Sequence, residues 1–469
     1  LVLKDSEEGK KYFTAFSLID THCHLEMEEF DNDRDDVIKR AIDNGISSII
    51  TISSDIESNS KAIEISKKYD CVYSTIGLHP HDAKDFTEEF YKRLIEFSKE
   101  SKVVAIGEIG LDYHYDNSPR EKQREVFERQ LLLSKELKLP VVIHSRDAKR
   151  DTIDIVKSSG VDKGVFHCFS GDYEMAKEAI SMGFLISIAG PVTFKNANRL
   201  REIAKLIPDD SLLIETDSPY LTPEPYRGRR NEPSFLVHTA KIIAGLRNIS
   251  TEDVARITTL NAKRIFKIGE IEEEGVIAYK IRDSLYLNIT NKCTNSCVFC
   301  VRFHTDYVKG YNLRLSKEPN EEDLKRAIGN PKSFKEIVFC GYGEPFLRLD
   351  IIKNVARWIK QNGGIVRVNT NGHGNLIHKR NILPELKDIV DKISISLDAH
   401  DEETYNKICK PVFKDAFKGV IEFIKESKKY INEVIVTVVD YPGVDVNKCE
   451  KIAKDLGVRF RLRELDVVG

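Results

Sequence analysis

From Ser17 onward, short β-branched apolar runs alternate with longer stretches whose apolar positions recur every three or four residues. The first pattern suits a strand buried on both faces and the second a helix buried along one stripe, so the alternation predicts repeated βα units around parallel sheets. Eight such runs come first: 18–20, 47–52, 72–76, 103–106, 141–143, 164–166, 184–188 and 212–214. A helical stripe at Val237, Ala240, Ile243 and Ala244 follows the last of them. Eight βα units over residues 17–268 predict a closed (β/α)8 TIM barrel.

Residues 269–278 open with Gly269 to Gly275, an acidic stretch between glycines that reads as a linker. Over residues 279–469 the rhythm restarts, with runs at 285–289, 337–340, 365–368, 393–397, 434–439 and 458–462. Leu349, Ile352, Ala356 and Ile359 make one helical stripe, and Val446, Cys449, Ile452, Ala453 and Leu456 another. Six units predict a partial (βα)6 barrel, making the chain α/β throughout.

The 469 residues exclude a single small module. Lys and Arg number 72 against 75 Asp and Glu, a net charge of -3, so any site for phosphate must be local rather than a polybasic surface. No apolar run approaches the 18 or so residues of a membrane span, and Lys4, Asp5, Glu7 and Glu8 interrupt the opening segment, so a cytoplasmic protein without membrane contact is expected. Three of the nine cysteines fall within eight residues, a spacing suited to a metal or cluster rather than a disulfide scaffold.

The ends of the first eight runs carry a recurring chemistry. His22 and His24 flank Cys23 after the first run, and alternation puts both imidazoles on one side. Glu108 follows the fourth run, His144 ends the fifth, His167 ends the sixth and Asp217 follows the eighth. In a closed barrel these ends converge on one face. Four imidazoles and two carboxylates exceed what one tetrahedral ion needs, so they predict two divalent metal ions, with Glu108 bridging and Asp217 serving also as general base. Arg227 and Arg230 in the loop Tyr226 to Asn231, with His79 on the same rim, are candidate phosphate contacts; His81 and His114 share that rim.

The segments Asp20-Thr-His-Cys-His-Leu25, Gly107-Glu-Ile-Gly-Leu-Asp112, Val142-Ile-His-Ser-Arg-Asp147, Phe166-His-Cys-Phe-Ser-Gly171 and Glu215-Thr-Asp-Ser-Pro-Tyr220 resemble the TatD family of metal-dependent deoxyribonucleases. That resemblance implies a TIM barrel with Mg, Mn or Zn, acting on DNA or another phosphodiester as a 3'-5' exonuclease or endonuclease. Related barrels that open with His-x-His hydrolyse amides, lactones and phosphotriesters, so a small-metabolite hydrolase is the alternative.

In the second half Cys293, Cys297 and Cys300 follow the first run. Three thiolates on a [4Fe-4S] cluster leave one iron open, and the spacing resembles the radical S-adenosylmethionine (SAM) superfamily. Gly341, Gly343 and Glu344 resemble its glycine-glutamate motif, and Phe299 its aromatic position before the third cysteine. Asn369, Asn371 and Ser396 resemble strand-end contacts to SAM. The resemblance implies a reductant as partner and hydrogen abstraction from an unknown substrate. His304 makes a structural zinc site the competing reading, and a redox sensor gating the hydrolase is a third. Cys23 and Cys168 are read as packing, and Cys340, Cys409 and Cys449 as structural. Residues 438–444 and 460–469 are expected to wall the substrate space.

Overall fold

The computed structural model describes residues 17–271 and 273–465. The chain divides into two compact units between Ile271 and Glu272. In the first, β1 (Leu18–Cys23), β2 (Ile46–Thr51), β3 (Val72–Ile76), β4 (Val103–Asp112), β5 (Val141–Arg146), β6 (Gly164–Phe166), β7 (Phe184–Ile188) and β8 (Leu212–Ile214) run parallel in sequence order. Every expected run is a strand. Helices join consecutive strands, and Ile46, Ile76, Ile106, Ile143 and Ile186 belong to the core that those helices cover.

Closure falls to the chain after β8. The Asp217 N–H donates to the His22 carbonyl at 2.9 Å, the His24 N–H donates to the Ser218 carbonyl at 2.8 Å, and the Thr21 hydroxyl donates to the Ile214 carbonyl at 3.0 Å. These bonds stitch the first strand to the last and set residues nearly two hundred positions apart side by side.

Two strands run further than their apolar cores suggest. β1 takes in His22, and β4 continues through Glu108 to Asp112, so Glu108 lies inside its strand rather than after it. Between Ile106 and Ile109 the β4–β5 register slips, with three steps on β4 opposite two on β5. That extra residue is a bulge, and it re-aims the side chain it carries.

The second unit holds β9 (Ala278–Ile281), β10 (Ser284–Leu287), a small hairpin of β11 (Tyr307–Val308) and β12 (Tyr311–Asn312), then β13 (Glu336–Phe339), β14 (Val366–Thr370), β15 (Lys392–Ser396), β16 (Glu433–Val439) and β17 (Arg459–Arg463). Its sheet runs β17-β16-β15-β14-β13-β10-β9. The six expected strands are parallel, and β9 adds an antiparallel edge through the tight turn to β10. Ile337, Val368, Ile393 and Val436 pack under the helices, which leaves Glu336, Arg367, Lys392 and Thr437 to the opposite face.

The stretch expected as an acidic linker contains the division between the units, and hydrogen bonds tie its later residues down. The Val276 N–H donates to the Asn312 carbonyl at 2.8 Å, and the Asn312 side chain donates to the Glu273 carbonyl at 2.7 Å. Backbone groups can pair whatever the charge of the side chains between them. Glu272 lies outside the described residues.

Candidate functional site

Strand ends place the polar residues of the first unit in one cluster. His22, inside β1, and His24, just past it, bring their Nε2 atoms to 3.3 Å, while Cys23 between them is fully buried in the core. Asp217 Oδ1 stands 3.6 Å from both Nε2 atoms. Through its bulged strand Glu108 enters the same space. Its Oε2 lies 3.5 Å from His22 Nε2, and its Oε1 lies 2.7 Å from His167 Nε2 and 2.8 Å from His144 Nδ1. The two oxygens thus face different imidazole sets.

Three groups of ligand atoms converge closely enough to hold an ion: His22, Glu108 and His167; His22, His24 and Asp217; and His79, Glu108 and His144. Nitrogens and carboxylate oxygens aimed at one another are the donor set of a borderline divalent cation, so these residues fit the metal that the resemblance implies. Burial alone would raise the Glu108 carboxyl, but the imidazoles of His167, His79 and His144 outweigh it and hold the group ionised. Asp217 behaves likewise beside His24 and His22. Burial lowers His24 and His167, yet their carboxylate partners win and raise both.

An outer layer of carboxylates aims these rings. His24 Nδ1 lies 3.1 Å from Glu26 Oε1 and 3.0 Å from the Ile52 carbonyl, which turns Nε2 toward the cluster. His144 Nε2 lies 3.0 Å from Asp112 Oδ2, which also meets His81 Nε2 at 3.1 Å. Glu215 Oε1 stands 3.5 Å from His167 Nδ1. At His24 and His144 such partners fix ring tautomer and orientation, whereas the Glu215 contact to His167 is charge proximity without a hydrogen bond. Sequence reasoning did not single out Glu26, Asp112 or Glu215. Each sits within four residues of a ligand, and an acidic residue so near a strand end is the signal that could have found it.

The three candidate phosphate contacts separate. His79 belongs to the ligand cluster, 3.5 Å from Glu108 Oε1, and burial pushes its imidazole down to about 4. Arg230 is committed to Asp33, with its two terminal nitrogens 2.8 and 2.7 Å from the two carboxylate oxygens, and it stacks on Phe30. The guanidinium fork expected for phosphate is thus already filled by a carboxylate of the same shape. Arg227 lies over the Phe194 ring at 4.4 Å.

In the second unit the cysteine loop follows β10. The Cys300 N–H donates to the Cys297 carbonyl at 3.0 Å, and the Ser296 and Val298 N–H groups donate to the Cys409 and Ile408 carbonyls at 3.0 and 2.9 Å. All three thiols are half-buried, and burial pushes Cys293 up to about 11. Cys409, expected as structural, lies buried against Cys297, and that contact with burial pushes its thiol far up. Among the described residues the convergent single-ion groups all belong to the barrel. Cys293, Cys297, Cys300 and His304 form no such group.

Gly341 and Gly343 have a steric reason. A Cβ on Gly341 would fall 2.2 Å from Asn288 Oδ1, and one on Gly343 2.2 Å from the Lys292 carbonyl, so only glycine lets this turn press on the cysteine loop. The Glu344 N–H then donates to the Lys292 carbonyl at 2.7 Å. Buried Glu344 accepts from the Thr370 hydroxyl and the Asn371 N–H, both at 2.8 Å, and burial pushes its carboxyl up to about 7. Asn369 keeps a buried Oδ1 without a partner, and Ser396 Oγ sits 3.5 Å from Thr437 Oγ1. Phe299 packs on Tyr441 with ring centroids 5.5 Å apart, so residues 438–444 reach the cysteine loop. Of the second expected wall, residues 466–469 lie outside the described residues.

Comparison with known proteins separates the halves along the same line. Residues 19–267 match the family described as TatD related DNase, and residues 287–456 match the Radical SAM superfamily. An uncharacterized metal-dependent hydrolase of Bacillus subtilis (strain 168), YabD, is 49% identical over 254 residues, covering 54% of this chain and 100% of that protein. The 3'-5' ssDNA/RNA exonuclease TatD of Citrobacter koseri is 35% identical over 261 residues, covering 54% of this chain and 100% of that one. The crystal structure of YJJV, a TatD homolog from Escherichia coli K12, is similar at 29% identity and a TM-score of 0.52, covering 54% of this chain and 98% of that one. No helix among the described residues is long and apolar enough to cross a membrane.

Proposed function

This chain belongs to the TatD-related DNase family and carries a domain of the radical SAM superfamily after its barrel, and from that premise we propose that it joins a two-cation phosphodiester hydrolase acting on nucleic-acid strands to a radical SAM enzyme with its own substrate. The observation that carries the hydrolase reading is Glu108, whose Oε2 faces His22 while Oε1 faces His144 and His167. A single carboxylate between two imidazole sets is the arrangement a pair of cations shares.

On this reading His22, His24 and Asp217 would hold one divalent ion, His144 and His167 would hold the other, and Glu108 would serve both. Bound Mg, Mn or Zn would supply a more acidic water and charge neutralisation at the phosphate. The chain's own residues do the rest. Asp217, held ionised beside His24, accepts the proton of the attacking water. Glu26 and Asp112 keep the rings of His24 and His144 aimed, and Arg227 is the phosphate contact left on the loop after β8. The exonuclease activity named for the Citrobacter relative supports DNA or RNA strands as substrate.

In the second half Cys293, Cys297 and Cys300 would hold the [4Fe-4S] cluster, which when reduced supplies cleavage of SAM to a 5'-deoxyadenosyl radical. Glu344 receives the methionine ammonium, the glycine turn lets backbone approach it, and Phe299, Asn369 and Ser396 line the remainder. A cytoplasmic reductant would provide the electron.

The test is anaerobic reconstitution of the full chain with added divalent ion, iron and sulfide, followed by a panel of end-labelled DNA and RNA strands, a phosphotriester and a lactone. Strand cleavage lost in Glu108→Gln, with 5'-deoxyadenosine release lost only in Cys297→Ala, supports the reading. Cleavage of only the phosphotriester or lactone would replace the nuclease with a small-metabolite hydrolase. An assembled cluster that releases no 5'-deoxyadenosine would make the second half a sensor.

A further inference from the structure

Beneath the cysteine loop lies a buried polar relay that neither a family match nor strand-end logic explains. The Asn371 side-chain amide donates to the Thr294 hydroxyl at 2.8 Å and stands 3.8 Å from Cys293 Sγ, within reach of an N–H···S bond. Thr294 Oγ1 meets His373 Nδ1 at 2.9 Å, and His373 Nε2 meets the Tyr405 hydroxyl at 3.0 Å. The Asn295 amide closes the far end by donating to that hydroxyl at 3.1 Å. His373 and Tyr405 are fully buried, and Thr294 and Asn295 nearly so. At the near end Asn371 is fixed twice more: its N–H donates to Glu344, and its Oδ1 accepts the His373 N–H at 3.0 Å.

Such a chain is costly to assemble unless its members are satisfied, and each side chain here has a partner within the relay, with only Asn295 Oδ1 left unpaired at the far end. It reaches the sulfur of Cys293 through the Asn371 amide, and that sulfur also accepts the Asn295 backbone N–H at 3.4 Å, a bond that side-chain substitutions leave in place. Hydrogen bonds to cluster sulfurs are among the features that set a cluster's reduction potential, because they stabilise the extra negative charge of the reduced state.

We infer that Asn371 is a positioning residue that tunes the cluster, donating an N–H to the Cys293 sulfur in an orientation locked by the Thr294–His373–Tyr405 relay. This rests on the reading of Cys293, Cys297 and Cys300 as cluster ligands. It changes the part expected of Asn371, whose amide faces the sulfur instead of serving only as a SAM contact. The geometry has a corollary: a side chain of similar size without the N–H should hold the cluster but make it harder to reduce.

The experiment is an EPR-monitored redox titration of the reconstituted full chain without SAM, so that no contact to SAM can contribute. Asn371→Leu removes the donor, Thr294→Val removes the hydroxyl that aims it, and Thr294→Ser restores that hydroxyl. The expected result is an equal iron content in all variants. Asn371→Leu should shift the one-electron equilibrium about tenfold toward the oxidised cluster, a midpoint about 59 mV lower. Thr294→Val should shift the same way by less, and Thr294→Ser should match the parent. Should Asn371→Leu fail to hold a cluster, Thr294→Val against Thr294→Ser decides. Midpoints that coincide across intact clusters overturn the inference alone, whereas a parent chain that assembles no cluster overturns the cluster reading together with it.

Discussion

At the barrel rim each ligand has other ligands within about 4 Å, as where Glu108 meets His22, His144 and His167. The corresponding strand ends of the second unit are sparser: three half-buried thiols, two glycines that hold a turn close, and Glu344 with both oxygens engaged by Thr370, Phe346 and Asn371. The difference follows from who supplies the chemistry. A hydrolase must provide every ligand, base and orienting carboxylate from its own side chains, so its rim is crowded and mutually charged. An enzyme whose reactivity resides in a cluster and a nucleoside needs few anchors and open backbone. Dense and sparse rims should therefore fail differently.

The sharpest break of the comparison is Glu108→Gln, which removes the charge both imidazole sets face. Strand cleavage should fall on the order of 10³-fold, the scale on which a preorganised charge acts, while iron content stays unchanged; a smaller loss would mean the two sets work independently. Next is Asp112→Asn. It leaves every candidate ligand in place but loosens His144, and metal affinity measured by competition with a chelator should drop about 10- to 100-fold.

The sparse rim should answer instead to pH at one residue. Burial raises Glu344 to about 7, so the carboxylate proposed to receive the methionine ammonium is mostly protonated at pH 6 and mostly ionised at pH 8. SAM affinity, measured by equilibrium dialysis on the reconstituted chain, should rise about tenfold across that range, as the ionised fraction of a group titrating near 7 does. Glu344→Gln should flatten the rise. The smallest effect is expected for Arg230→Ala, which breaks a part-exposed pair with Asp33. Thermal unfolding should report a loss of less than about 1 kcal/mol, and KM for strand substrates should stay near the parent value, in contrast to Arg227→Ala.

Much of this architecture can be read from one-dimensional pattern. Strand length and hydrophobicity reflect burial on both sheet faces, so all eight barrel strands and six parallel strands of the second unit follow from their apolar runs. β9 escapes such reading because four residues ending in a polar turn carry no periodic signal, and it becomes a strand only by pairing with β10. Cys409 escapes for a related reason: more than a hundred residues separate it from Cys297, and only helix and loop packing brings the thiols together. Arg230 shows the opposite failure. Its charge suggested phosphate, yet a carboxylate in the loop after β1, at the N-terminal end of the first helix, pairs with it.

Sequence alone determined which residue types stand at which strand ends, and hence the two chemistries, because strand periodicity and barrel closure convert linear order into a shared rim. Tertiary structure decided what each group does there. The bulge in β4 turns Glu108 between two sets of rings, the bonds from the chain after β8 seat Asp217 beside His22 and His24, and a buried relay points the Asn371 amide at a sulfur. Those outcomes depend on angles and distances of a few ångströms between segments remote in the chain, and hydrogen bonding and charge act at that range.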